Sequence, residues 1–457
     1  MMLNLQETAQ ALNATLQGNP ELVFTRVTTD SRDIRAGDLF VALKGERFDA
    51  HDFVAQAFAQ GAVAAVVEQA GEGNRIIVGD TLQALGQLAG YWRAKHAAKP
   101  LAAITGSNGK TSVKEMLSSI LAVHAGNPDF VHATKGNLNN HIGLPLTLLG
   151  IRAEHRFVVA EMGMNHFGEI DYLTKIARPD VALVNNAGAA HLEALGSVSG
   201  VAKAKGEIFA GLVANGVAII NADDEFAGVW RELAGEQATI SFGLQDAEIT
   251  AEDIELNADG SRFKLATPLG SALVTLAVPG LHNVRNALAA AATAIALQIP
   301  LAQIAAGLSA WSGVKGRLQA KRAANGASVL DDTYNANPDS MRAAVDVLAA
   351  IGQSSKVPTI LVLGDMGEVG NDAPERHAEI GAYAQQQGIT VLLTVGEQMA
   401  HAVAAFGAQG QHFANKADLL AALNAVLTPQ SHVLVKGSRF MRMEEIVNAL
   451  EGVQPCC

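Results

Sequence analysis

The run Ile104-Thr105-Gly106-Ser107-Asn108-Gly109-Lys110-Thr111 has the residue types to cradle a triphosphate. It follows a short apolar stretch, residues 101–104, and precedes Val113, Met116, Leu117, Ile120 and Leu121 at helical spacing. A strand, a glycine-rich turn and a helix N-terminus aim backbone N–H groups at phosphate oxygens. Lys110 can reach the terminal phosphates and Thr111 can set its hydroxyl on Mg²⁺. Asn108 and Ser112 lie in the same turn and are expected at the nucleotide. A P-loop reads G-x-x-x-x-G-K-[ST], which asks for glycine at 104, where this chain has isoleucine. A loop that keeps Gly106, Gly109, Lys110 and Thr111 is a narrower signal than a generic P-loop.

Other chemistry-bearing residues fall where further strands end. Glu161 closes the apolar stretch 157–160, and an acid at that end of a strand beside the loop strand suits Mg²⁺. His191 follows the next apolar run, 181–185, and is placed toward the same crevice as a metal or phosphate ligand. Lys203 and Lys205 are accounted for, by spacing alone, as a solvated helix face. Asn283 and Asn286 open an alanine-rich helix. Capping explains one asparagine there, whereas two amides at this spacing share a face and could bracket a purine edge. Arg317 stands between two stretches of chain, where it can stabilise the charge of a transferring phosphate when domains close. Asp331-Asp332-Thr333-Tyr334-Asn335-Ala336-Asn337-Pro338 joins a strand to a helix, either as a ligand loop or as ordinary turn chemistry. Lys436-Gly437-Ser438-Arg439 is another strand-end turn, with two cations.

The elements that must position these residues alternate along the chain. Residues 1–99 read as a small α/β unit, with strands at 25–29, 39–43, 63–67 and 75–78 and helices at 51–60 and 82–95. Lys99-Pro100 marks its end, because the residue before proline is pushed out of helix. Residues 100–316 carry short apolar runs at 101–104, 157–160, 181–185 and 217–221, separated by helices. Such runs fit parallel strands buried on both faces, hence a doubly wound sheet. Strands at 241–243, 249–256, 262–266 and 272–278 read as an antiparallel appendage before a helix over 283–297. Residues 317–457 alternate again, with strands at 329–330, 360–363, 391–395 and 433–435, a second open α/β sheet.

Composition bounds the partners. The chain has 457 residues, 49% hydrophobic and 17% charged, enough for several buried cores, with a formal net charge of −12. That charge disfavours nucleic acid, so a small nucleotide is the expected ligand. Cys456 and Cys457 form no disulfide framework or metal-ligand pattern. The N-terminus shows no secretory signal. The most apolar window, 287–297, falls short of the about 20 residues that span a bilayer. A cytoplasmic protein, with no membrane insertion, is expected.

Taken together, these residues resemble the Mur ligase family, ATP-dependent amide ligases of peptidoglycan-precursor synthesis. Thr105–Thr111 is similar to that family's shortened P-loop, and Glu161, His191, Asn283, Asn286, Arg317 and Asp332 follow in its order. The resemblance implies an α/β fold of three domains: a small UDP-binding domain (1–99), a central parallel-sheet ATPase domain (100–316) and a Rossmann-like C-terminal domain (317–457). The Thr29-Asp30-Ser31-Arg32 run, with Gly37-Asp38-Leu39-Phe40-Val41-Ala42, resembles the UDP-binding domain shared by the members of the last two steps. The Asp332–Pro338 run, Ala204-Lys205-Gly206-Glu207 and Gly364-Asp365-Met366-Gly367-Glu368 resemble the members that add the final dipeptide. The D-Y-A-H-x-P turn of the preceding, diaminopimelate- or lysine-adding step is absent.

The implied reaction phosphorylates the terminal carboxylate of a UDP-N-acetylmuramoyl-tripeptide with ATP; the amine of D-Ala-D-Ala then displaces phosphate. Lys110, Arg317 and two Mg²⁺ ions would neutralise the meeting anions. Thr111 and Glu161 would hold one ion. His191 would hold the other, supported by a carbamylated lysine, for which the spacing from His191 favours Lys205 over Lys203. Adenine is expected near Asn283 and Asn286 and ribose near Asp332. The substrates are expected at Ser31, Arg32, Lys44, Asn137, Asn139, Asn140, Tyr334, Asn335 and Asn337, with 365–368 and 436–439 contributing to the dipeptide site. A monomer is expected. The weighed alternatives are a folylpolyglutamate synthetase, which lacks a UDP-binding domain, and a P-loop switch ATPase, which needs neither the paired asparagines nor Asp332.

Overall fold

The computed structural model describes residues 1–45, 48–189, 192–258 and 260–452. The apolar runs of the middle of the chain form one six-stranded parallel sheet. Its strands lie in the order Ala238–Phe242, Val217–Asn221, Val181–Val184, Leu101–Thr105, Phe157–Glu161, Val131–Ala133. Every residue of Leu101–Thr105 is buried, as expected where helices cover both faces. The chain enters Phe157–Glu161 on one side of Leu101–Thr105 and Val181–Val184 on the other. That reversal opens a crevice at the carboxyl ends of these strands, where open α/β sheets bind ligands.

The helix Lys110–Ala125 begins at Gly109 and ends at Gly126, both with left-handed backbone. Its Val113, Met116, Leu117, Ile120 and Leu121 are fully buried against the sheet. At roughly 1.5–3 kcal/mol for each fully buried large apolar side chain, packing rather than propensity fixes this helix. The alanine-rich helix Leu281–Ala296 and the helix Leu301–Ala310 pack against it. A β-carbon on Gly307 would lie 2.3 Å from Ile120 Cα, so this close approach requires glycine.

Two further sheets flank the centre. The N-terminal one orders Thr15–Gln17, Arg75–Ile77, Ala64–Val67, Asp38–Val41, Arg26–Thr28. The C-terminal one orders Gln319–Arg322, Ser328–Asp332, His432–Lys436, Thr359–Gly364, Val391–Val395, Gly410–Phe413, with only the first pair antiparallel. No helix among the described residues is long and apolar enough to cross a membrane.

The sequence reading needs correction in places. The strand expected at 241–243 is not part of the antiparallel appendage. It is the end of Ala238–Phe242, which pairs parallel with Val217–Asn221 and extends the central sheet. The appendage is three-stranded: Thr250–Asn257, Gly260–Thr267, Gly270–Leu276. Edge strands Thr15–Gln17, Gln319–Arg322 and Gly410–Phe413 leave no signal in the sequence, because none is fully buried and none carries an apolar run. A further helix, Leu5–Ala11, precedes the first strand; Asn4 caps it by accepting from Glu7 N–H at 2.7 Å.

Candidate active site

The phosphate loop is held by amides. Asn108 N–H donates to Asn186 Oδ1 at 2.8 Å, and Asn108 O accepts from Asn185 Nδ2 at 2.9 Å and Asn186 Nδ2 at 3.1 Å. Ser107 N–H donates to Asn186 O at 3.0 Å, and Gly188 N–H to Ser107 Oγ at 2.9 Å. Asn185 Nδ2 also donates to Asn286 Oδ1 at 3.0 Å. Asn283 Nδ2 donates to Pro279 O at 2.8 Å, and its Oδ1 accepts from Asn286 at 3.5 Å. Gly109 has φ +80°, and a β-carbon there would lie 2.3 Å from Asn286 Oδ1. The loop therefore keeps its shape only if residue 109 has no side chain.

These groups open into a cavity of about 1010 Å³. Ser107 to Ser112, Asn137, Asn139, Asn140, Glu161, Lys205, Asn283, Asn286, Arg317, Asp332, Tyr334, Asn335 and Asn337 all line it. Gly106 contributes from behind, its carbonyl accepting from Lys110 Nζ at 2.6 Å. Burial holds the Lys110 ammonium below its usual range; the nearby Arg317 adds to this and Glu161 opposes it. Thr111 Oγ1 donates to Glu161 Oε2 at 3.0 Å, and Asn139 Nδ2 donates to Glu161 Oε1 at 2.8 Å. Arg317 arrives from outside the central sheet, with Nη2 3.2 Å from Thr111 Oγ1 and the guanidinium 4.5 Å above the Tyr334 ring. Arg317 thus already stands at the phosphate loop, and its Nε is buried without a partner.

The C-terminal sheet supplies the opposite wall. Its parallel register sets Asp332 beside Lys436, whose Nζ donates to Asp332 Oδ2 at 2.7 Å and Asn335 O at 2.9 Å. Asn337 caps the helix Pro338–Ser355 and donates across to Asn108 Oδ1 at 2.8 Å. Asp339, in that helix's first turn, accepts from Ala189 N–H at 3.2 Å.

Lys205 is 1% exposed yet lines the cavity. Its amine has no hydrogen bond or ion pair to another described residue. Burial first, and the Lys110 charge second, push its pKa well below the usual lysine value. Glu161 is 3% exposed and also has no ion-pair partner among the described residues. A buried carboxylate in no direct ion pair among the described residues, beside a hydroxyl at the start of the loop helix, fits a divalent cation. Among the described residues no group of three or more His, Cys, Asp or Glu side chains could hold a metal alone. An ion here would need phosphate oxygens as well, as Mg²⁺ prefers.

Some expected residues lie elsewhere. Ser31, Arg32 and Lys44 belong to the N-terminal unit and do not line the cavity. Arg32 forks onto Asp30, holding that carboxyl down to about 2. Lys44 is exposed. His191 lies outside the described residues, as do Cys456 and Cys457. Of the 365–368 turn, Glu368 lines the cavity and Asp365 does not. The Asp365 carboxylate accepts Gln398 and Met399 N–H groups and so holds the start of the helix Met399–Phe406. Sequence reasoning missed Asn185 and Asn186 as anchors of the loop, although the paired amides after an apolar run were visible. It also missed Asp224, which lines the cavity and accepts from Ala187 N–H at 3.0 Å.

Three family descriptions match the chain in succession: "Mur ligase family, catalytic domain" over residues 23–93, "Mur ligase middle domain" over 104–294, and "Mur ligase, glutamate ligase domain" over 316–439. The chain is 44% identical to the UDP-N-acetylmuramoyl-tripeptide–D-alanyl-D-alanine ligase of Escherichia coli (strain K12), covering 99% of each. It is 41% identical to the ligase of that name from Haemophilus influenzae, again over 99% of each. Among solved structures, MurF from Acinetobacter baumannii superposes with a TM-score of 0.92, at 40% identity over 99% of both chains. MurF ligase from Thermotoga maritima, solved in complex with ADP, gives 0.83 at 26% identity, covering 95% of this chain and 98% of that one.

Proposed function

The chain belongs to the Mur ligase family, and from that membership we propose how its residues perform the ligation assigned to it. It is an ATP-dependent peptide ligase that adds D-alanyl-D-alanine to a UDP-N-acetylmuramoyl-tripeptide in peptidoglycan synthesis. One observation carries the residue-level reading: Arg317, Asp332 and Asn337, from the C-terminal side, face the phosphate loop across one cavity. A switch ATPase has no use for that second wall.

The chemistry must bring two anions together. A terminal carboxylate oxygen attacks the γ-phosphorus, the bond to ADP breaks, and an acyl phosphate forms. The neutral amine of the dipeptide then attacks the acyl carbon, and phosphate leaves with the former carboxylate oxygen. Lys110 leaves the Gly106 carbonyl for the γ-phosphate, and Arg317 stabilises the spreading charge from the other side. Tyr334 holds the Arg317 plane against thermal rotation through its ring face. Thr111 and Glu161 would hold a Mg²⁺ ion, and His191 a second; such ions neutralise phosphate charge and orient its oxygens. Asn283 and Asn286 lie on the adenine side, with their amides partly committed to the loop, and Asp332 on the ribose side. Asn137, Asn139 and Asn140 face the sugar-peptide, Tyr334, Asn335 and Asn337 the dipeptide side, and Ser31, Arg32 and Lys44 the uridine end.

Lys205 is the proposed site of carbamylation. Its amine is buried among groups that favour the neutral form, and only a neutral amine attacks CO₂. The nitrogen bonds the CO₂ carbon and loses a proton, turning a cation into an anion that supports the second metal. We divide the chain at 99/100 and 316/317; each of the four sheets falls within one of these segments. On this reading the enzyme acts as a monomer in the cytoplasm, where ATP is supplied.

Phosphate release tests the function. It is expected to need ATP, Mg²⁺, UDP-N-acetylmuramoyl-tripeptide and D-Ala-D-Ala together, and to stop when any is omitted. Equal turnover with meso-diaminopimelate and the corresponding UDP-dipeptide would move the chain to the preceding ligation. Steady ATP hydrolysis without a peptide substrate would favour a switch ATPase.

A further inference from the structure

Lys114 is a buried cation that the ligation chemistry leaves unused. It sits one turn beyond Lys110 on the phosphate-loop helix and is 2% exposed. Its Nζ donates to Thr134 O at 2.6 Å and pairs with Glu115 Oε1 at 2.8 Å. Thr134 is itself 1% exposed and uses every polar atom it has. Its N–H donates to Val159 O at 3.0 Å, its Oγ1 accepts from Glu161 N–H at 2.9 Å, and its carbonyl takes Lys114. Glu161 then closes a ring back to the same helix through Thr111 Oγ1 at 3.0 Å. Thr134 is also the root of the segment that carries Asn137, Asn139 and Asn140 into the cavity. Asn139 is tied to this ring through Glu161 at 2.8 Å.

We propose that Lys114 is a positioning residue for the UDP-substrate: it fastens the root of the 135–140 segment to the phosphate-loop helix, setting the asparagine segment at a fixed distance from the γ-phosphate. The inference rests on the ligase function above. Burial is what gives the contact its weight. A charge-assisted hydrogen bond in a dry site is stronger than one in water, and a carbonyl stripped of its donor there is not rescued by solvent. The segment beyond Thr134 is mostly exposed, so few other contacts can hold it in place.

The test uses Lys114→Met, which keeps the length and loses the donor. The KM for UDP-N-acetylmuramoyl-tripeptide is expected to rise at least about tenfold, the factor that one unmet buried acceptor represents. The Kd for ADP is expected to stay within about threefold, because the loop amides that hold Asn108 are untouched. A general loss of structure would weaken both together. Glu115→Gln removes the half-exposed partner but spares the Thr134 bond, and is expected to behave as wild type. If Lys114→Met does not fold, Lys114→Gln, with its donor on a shorter stem, is read in the same way. An unchanged KM for the UDP-substrate in the folded variant, or an equal loss of ADP affinity, overturns the role of Lys114. Wild-type protein that fails to bind the UDP-tripeptide at all would instead overturn the ligase function on which the inference stands.

Discussion

Lys110→Met is expected to lower kcat by on the order of 10³, since preorganised charge at a transferring phosphate is the largest single catalytic contribution available here. In the fold Lys110 Nζ bonds the carbonyls of Gly106 and Ser107, at 2.6 and 3.4 Å. These contacts park the ammonium at the mouth of the loop, where an arriving γ-phosphate takes it over. Burial and Arg317 disfavour the charged amine, and Glu161 alone opposes them. A polyanionic nucleotide reverses that balance, so the charge is fully useful only with substrate bound. Methionine fills the same space, and the loop amides Asn185 and Asn186 remain, so thermal stability is expected to change little. Lys110→Arg is expected to fail as a rescue, because a planar fork does not fit where one point donor sits on Gly106 O. Phosphate-release kinetics on the purified variants decide the matter. A loss below about tenfold would remove Lys110 from the chemical step.

Lys205→Ala is expected to reduce kcat roughly 100-fold, at the upper end of what loss of a metal-supporting group does. Alanine removes an amine that is 1% exposed and lies near the charge of Lys110. If the working species were the ammonium, deleting it would relieve repulsion between two cations, and activity would hold or rise. If it is a carbamate, deletion removes a needed anion, and a small carboxylate supplied in solution can stand in for it. Formate or acetate at high concentration is therefore expected to restore at least about tenfold of the lost rate, with no effect on wild type. Near-full activity of Lys205→Ala at every bicarbonate concentration would eliminate the carbamate.

Much of this site is legible in the sequence because it follows from parallel-sheet geometry. Glu161 and the phosphate loop both stand at carboxyl ends of apolar runs, and adjacent strands bring such ends together. Arg317 is legible from its place between two α/β stretches. The asparagines are not, because an amide that holds a loop and an amide that holds a ligand look identical along a chain. Asn283 and Asn286 do share a helical face, as their spacing requires, but part of that face is spent on Asn185 and Pro279. Lys436 presents a different difficulty. Its partner Asp332 is set by the register of two strands distant in sequence, and nothing local announces that pairing. Asp365 is illegible for the same reason: the helix it caps begins far along the chain, at Met399. The run 241–243 reads as part of the appendage because a partly exposed edge strand, Ala238–Phe242, carries no mark of its neighbour.

The claim that the cavity presents the γ-phosphate of ATP to a carboxylate can be tested with isotopes. UDP-N-acetylmuramoyl-tripeptide labelled with ¹⁸O in its terminal carboxylate is turned over with ATP, Mg²⁺ and D-Ala-D-Ala, and the released phosphate is examined by mass. The acyl-phosphate route predicts one ¹⁸O atom in the phosphate for each amide bond formed. Amide product accompanied by wholly unlabelled phosphate would contradict it, because the carboxylate oxygen would then never have bonded the γ-phosphorus.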